Sequence, residues 1–123
     1  MQKKLLNSVK ILSLNRDEVI NKLEDSINDL VKKRREILKV ILFGSLIREN
    51  YTPYSDADIL IIIDDKAKIP QKIRDRIPYY FIDDAPISID IFPYKEKEIQ
   101  KKISENNFFV KNAVDNGKVI FSR

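Results

Sequence analysis

The sequence predicts an α/β domain of the α+β type, in which a small mixed sheet of at least three strands is flanked by helices. Three observations predict it. Apolar residues recur with a helical period from Arg16 to about Glu36. Two β-branched apolar runs, residues 39–43 and 57–63, have the length of buried strands. A third run, residues 87–92, alternates strictly between apolar and other side chains. At 123 residues, 43% hydrophobic and 34% charged, the chain supports a single hydrophobic core.

Residues 1–14 carry Leu5, Leu6, Val9, Ile11, Leu12 and Leu14 without a clean period, and read as an extension ahead of one domain spanning 15–123. Asn15 followed by Glu18 has the spacing of a helix-capping box. Val19, Ile20, Leu23, Ile27, Leu30 and Val31 then form one face of a helix. It closes on Lys32-Lys33-Arg34-Arg35, whose cations oppose the negative end of the helix dipole. That run would also suit nucleic acid, but a solvated face is the simpler account, and no catalytic role is assigned to it. Residues 39–43 form a strand stopped by a tight turn at Gly44. Residues 57–63 do not alternate beyond Asp58, which places that strand centrally with both faces covered. Pro70 opens a short helix with Ile69, Ile73 and Ile77 at intervals of four, and Pro78 is expected to end it. In the third strand Ile87, Ile89 and Ile91 face one way and Ser88, Asp90 and Phe92 the other. Helical turns over 95–103 and 105–115 follow, then Asn116-Gly117 as a helix stop before Val119-Ile120-Phe121.

Composition narrows the chemistry. The chain has no cysteine and no histidine, so disulfides, thiolate zinc sites, cysteine nucleophiles and imidazole acid/base catalysis are excluded. Carboxylates, hydroxyls, lysines and arginines remain. A net charge of +4 is modest and does not by itself indicate a nucleic-acid partner. No apolar stretch is long enough to span a bilayer and the amino terminus lacks an apolar signal core, so a cytoplasmic protein is expected.

The chemistry concentrates between Phe43 and Asp58. Gly44 lacks a Cβ, so its backbone can approach a phosphate closely, and a turn into a helical segment at 46–49 would offer free amide donors to anionic oxygens. Ser45 adds a hydroxyl beside them, and Arg48, one helical turn on, brings a positive charge to the same group. An ordinary strand-to-helix turn with a surface arginine fits these residues too. Asp56 and Asp58, two apart at the start of a strand, point to one face. Mg²⁺ is the natural ion between them, since it takes oxygen ligands and shares its shell with substrate phosphates. Asp90, on another strand, would add a third carboxylate, a set suited to a two-metal centre. Taken singly, each aspartate also fits a turn cap or a strand-edge charge.

Together, Gly-Ser, ten residues and then Asp-x-Asp resemble the signature of the DNA polymerase beta-like nucleotidyltransferases. Gly44-Ser45 with Arg48, then Tyr51-Thr52, then Ser55-Asp56-Ala57-Asp58-Ile59-Leu60 are most similar to its minimal branch, the partners of HEPN-domain proteins in prokaryotic toxin-antitoxin pairs. The resemblance runs from about Arg16 to Phe121 and implies a nucleotidyltransferase fold. It implies Gly44, Ser45 and Arg48 as nucleotide binders, Asp56 and Asp58 as metal ligands, and Asp90 as the third catalytic and metal-binding carboxylate. One departure is Glu49, where the family often has glycine.

The activity implied is Mg²⁺-dependent transfer of a nucleoside monophosphate, AMP from ATP, to a hydroxyl, with a tyrosine of a HEPN-type ribonuclease toxin as acceptor. A hetero-oligomer with that toxin is expected, because larger relatives recognise base and acceptor with an added domain and a partner is expected to supply those determinants here. Two alternatives stay open: a binding module that blocks its partner by occlusion, and transfer to a small molecule or an RNA end. Tyr51 and Tyr54 fit either stacking on a base or covering the core.

Overall fold

The computed structural model describes residues 15–44, 47 and 56–123, so the extension 1–14 and Ser45, Arg48, Glu49, Tyr51 and Tyr54 lie outside the described residues. The first helix, α1, spans Arg16–Lys33. Asn15 caps it, its side-chain oxygen accepting from the Glu18 amide at 2.8 Å while its own amide donates to the Glu18 carboxylate at 3.0 Å. Val19, Ile20, Leu23, Ile27, Leu30 and Val31 are all buried along one face. The helix ends earlier than its period suggests, because Arg34 leaves helical geometry (φ −122°, ψ 81°) to feed the first strand. There the Arg34 side chain is committed elsewhere: Nε donates to the Tyr79 carbonyl at 3.0 Å.

Four strands follow: β1 Ile37–Phe43, β2 Ala57–Ile63, β3 Ile89–Lys95 and β4 Lys118–Ser122. Their order is β3-β2-β1-β4, with β1 antiparallel to both β2 and β4, and β2 parallel to β3. The sheet is therefore mixed, and β2 is internal, as its unbroken apolar run requires. A register shift between Ile37 and Lys39 lets Ile37 join the same core layer as Val40 despite their odd spacing.

The parallel β2–β3 pair demands a crossover, which carries the helix α2, Ile73–Arg76. Pro78 does not end this helical segment. It sits in the first turn of a 3₁₀ helix, Ile77–Tyr80, that continues α2 directly, a position where its fixed φ and missing N–H are tolerated. Tyr80 is fully buried and its hydroxyl donates to Glu36 at 3.0 Å. The third strand also differs from its sequence pattern at both ends. It starts at Ile89 because that residue pairs with Ala57, where β2 begins, and it runs past Phe92 through Pro93 to Lys95. Proline is admitted because β3 is an edge strand.

Helices α3, Glu96–Ser104, and α4, Phe108–Asn116, complete the chain before β4. Asn106 takes the left-handed conformation between them (φ 59°), and the Asn107 side chain caps α4 by accepting from the Val110 amide at 3.1 Å. Gly117 closes α4, its N–H donating to the Ala113 carbonyl at 2.9 Å. The sheet thus separates two apolar layers. On one face α1 packs against Val40, Leu42, Ala57, Ile59, Ile61 and Ile63. On the other, Ile99 of α3 and Val110 and Ala113 of α4 pack against Ile41, Phe43 and Leu60. Among the described residues no helix is long and apolar enough to cross a membrane.

Candidate active site

Three strand ends meet at one edge of the sheet: β1 finishes there, and β2 and β3 begin there. Gly44, immediately after β1, has φ +88°, a conformation that L side chains rarely adopt. A Cβ at this position would run into the Asp58 carboxylate. Glycine is therefore required twice over, by its backbone angle and by the side chain it faces. The Gly44 carbonyl accepts from the Ile47 amide at 3.3 Å, and the Ile47 carbonyl accepts from Arg16 Nη1 at 3.4 Å, so the first residue of α1 reaches Ile47, three residues past Gly44.

Register fixes the acids. Asp58 is the cross-strand partner of Phe43 on β1 and of Asp90 on β3. Neighbouring strands lie about 4.8 Å apart and paired residues point to the same face, so Asp58 and Asp90 stand side by side on the face covered by α3 and α4. Asp56 lies one residue ahead of β2, where the Ala57 amide extends the pairing by donating to the Ser88 carbonyl at 2.9 Å. Asp56 and Asp90 are exposed and Asp58 is half-buried. Of the residues singled out from sequence, Gly44, Asp58 and Asp90 come together, and Asp56 lies at the same strand mouth, one residue ahead of β2. Ser45 and Arg48 lie outside the described residues.

Adjacent carboxylates repel unless a cation lies between them. Among the described residues no group of three or more acidic side chains forms a ready cation cage. Asp58 and Asp90 instead place two hard oxygen donors side by side. That chemistry fits Mg²⁺, which is commonly held by one or two carboxylates with water and substrate phosphates filling its octahedral shell.

An aromatic cluster borders the acids. Phe43, partner of Asp58, and Phe92, two residues along β3 from Asp90, have ring centroids 5.9 Å apart. Phe109 of α4 meets both, at 5.0 Å and 4.7 Å, with near edge-on geometry. Phe109 escapes the sequence reading, because the helical turns over 105–115 carry no motif that ties them to Asp90. The alternation that puts Phe92 on the Asp90 face is the one local signal leading toward it.

Farther along the same face, roughly 13 Å from Asp90 at the rise of a strand, Tyr94 borders a groove of about 500 Å³ with Glu98, Lys101 and Lys102. Arg76, 2% exposed, lies beneath it. Its guanidinium donates to both Glu98 carboxylate oxygens at 2.6 and 3.1 Å and to the carbonyls of Pro70 at 2.7 Å and Pro93 at 3.2 Å. Burial pushes the Glu98 carboxyl pKa up, but hydrogen bonds from Arg76 and the Lys95 amide, with the nearby positive charge, outweigh it and leave the pKa lowered. This arrangement ties α2 and β3 to α3 and is separate from the acid pair.

Comparison with known proteins bears on the chain's family and fold. The model of the family described as "nucleotidyltransferase domain" matches residues 20–120, a span holding Gly44, Asp56, Asp58 and Asp90. The fold is similar to the crystal structure of a candidate nucleotidyltransferase from Sulfolobus solfataricus, with a TM-score of 0.62 over 95% of this chain and 88% of that one, at 18% identity. A comparison with curated proteins gives no match.

Proposed function

The chain belongs to the nucleotidyltransferase domain family, and from that premise we propose that it transfers AMP from Mg²⁺-bound ATP to a hydroxyl, with a tyrosine of a HEPN-type ribonuclease as acceptor, and so acts as that toxin's antitoxin. The observation that carries the reading is Asp58 standing beside Asp90 and against Gly44, at the point where three strand ends converge. The HEPN partner rests on the sequence resemblance of 44–60 to the minimal nucleotidyltransferases, and a complex with it is part of the proposal.

In this mechanism the acceptor oxygen attacks the α-phosphorus in line as the bond to the leaving pyrophosphate breaks. Asp90 takes the acceptor's proton, since it is the exposed member of the pair and lies on the edge strand where an incoming hydroxyl has access. Asp56, Asp58 and Asp90 are the residues that would hold the divalent cations. A bound cation supplies charge neutralisation at the phosphates and lowers the cost of the developing negative charge. Gly44 keeps the backbone open where the triphosphate enters, with Ser45 and Arg48 as further hydrogen-bond donors to its phosphate oxygens.

The test is transfer of label from α-labelled ATP and Mg²⁺ to proteins of a host lysate, comparing wild type with Asp56→Asn plus Asp58→Asn. The expected outcome is label on one protein band, absent with the double variant. A co-purifying partner whose ribonuclease is blocked with no label on it, in both proteins alike, would replace transfer with occlusion.

A further inference from the structure

We propose that Phe109 is the platform on which the base of the donor nucleotide stacks, and that the flat ring there gives a modest preference for purine over pyrimidine nucleotides; the inference rests on the nucleotidyl-transfer reading above. Phe109 is 44% exposed, yet its ring is fixed, because Phe43 and Phe92 hold it near edge-on from two sides at 5.0 and 4.7 Å. Those two rings belong to the acid site's own sheet face: Phe43 is paired with Asp58, and Phe92 follows Asp90 by two residues. A large apolar side chain that is both held in place and left open to water is poised for a partner with a flat apolar face.

Nucleotide geometry supplies that partner. With the phosphates at Gly44 and the carboxylates, the base lies one sugar away, about the distance that separates Asp90 from Phe92 along the strand, roughly 7 Å. Stacking on an aromatic ring is tolerant of base identity, because every base has a π-face, and its modest preferences follow stacking strength. Purines, with two fused rings, cover more of Phe109. Phe108, its neighbour, is 81% exposed and shares none of these ring contacts, so it serves as the internal control.

The experiment is calorimetric binding of two ligands in Mg²⁺, the non-transferable α,β-methylene analogue of ATP and inorganic tripolyphosphate, to wild type, Phe109→Leu, Phe109→Tyr and Phe108→Leu, each first shown folded by thermal unfolding. Phe109→Leu should weaken the analogue by about tenfold or more while tripolyphosphate changes by less than about twofold. Phe109→Tyr, which keeps a flat ring, should restore most of the analogue affinity that Phe109→Leu loses, Phe108→Leu should bind both ligands as wild type does, and the matching cytidine analogue should bind wild type more weakly than the adenosine one. Analogue binding undiminished in Phe109→Leu, or tripolyphosphate lost in step with it, overturns the base platform while leaving transfer intact. Wild type that binds neither ligand overturns the transfer reading, and the platform with it.

Discussion

Gly44 is where a single residue joins backbone conformation to chemistry. Its φ of +88° is costly for any side chain, and the direction in which a Cβ would project is occupied by the Asp58 carboxylate. Gly44→Ala should therefore do two separable things. Strain in the left-handed region should cost roughly 1–2 kcal/mol, visible as a melting temperature lower by a few degrees. Displacement of Asp58 from Asp90 should lower nucleotidyl transfer further, on the order of a hundredfold, because misplacing a reacting group by about 1 Å has effects of that size. The check is the transfer rate at a temperature where the variant is fully folded. A rate equal to that of wild type would sever the link between this glycine and the acid pair. The glycine was legible from sequence as a turn residue, and the pleat of 56–58 was legible as a pair of carboxylates. Their collision distance was not, since it depends on the β1–β2 register that brings Phe43 opposite Asp58.

Elements were legible to the extent that their signals are local. Residues 57–63 were read at their true bounds because burial on both faces leaves one continuous apolar run. The bounds of β3 were not, because they are set by where β2 begins and by the freedom of an edge strand to include Pro93. Arg76 gave no signal at all: a charged residue in a short helix reads as solvated, whereas here it is buried against Glu98 and backbone carbonyls. Glu98→Gln should cost about 2 kcal/mol, less than the loss of a wholly buried pair, because the Glu98 side chain is 36% exposed and Arg76 keeps its carbonyl partners. The cost should depend on pH. Since the folded chain lowers the Glu98 pKa below its ordinary 4.5, the ionised pair stabilises the fold above that pH and loses its effect as pH falls through the folded value. Urea unfolding at neutral pH and near pH 3 measures this directly. A gap between wild type and Glu98→Gln that stays constant over that range would show that the pair's charge contributes nothing.

At the scale of the whole molecule, one sheet serves two layers, and β2 supplies alternate residues to each: Ile59 and Ile61 toward α1, Leu60 toward α3 and α4. Neither layer can lose its helices without exposing the strand that anchors the other. Unfolding should therefore be a single cooperative transition, even though the acid pair faces only the α3–α4 side. Leu23 tests this, being fully buried in α1 on the opposite face. Leu23→Ala should cost about 2–5 kcal/mol through lost apolar burial and the cavity left behind. Below its transition it should keep the wild-type transfer rate, since Asp58 and Asp90 share the opposite face of the sheet with Leu60 and Phe92. The chain has no tryptophan, so tyrosine fluorescence reports the packing: Tyr80 lies in the α1 layer and Tyr94 in the other. In urea, that fluorescence and the far-ultraviolet circular dichroism should move together to a lower midpoint in the variant. Two resolved transitions would mean that the layers fold independently, and that the acid site stands on α3, α4 and the sheet without support from α1.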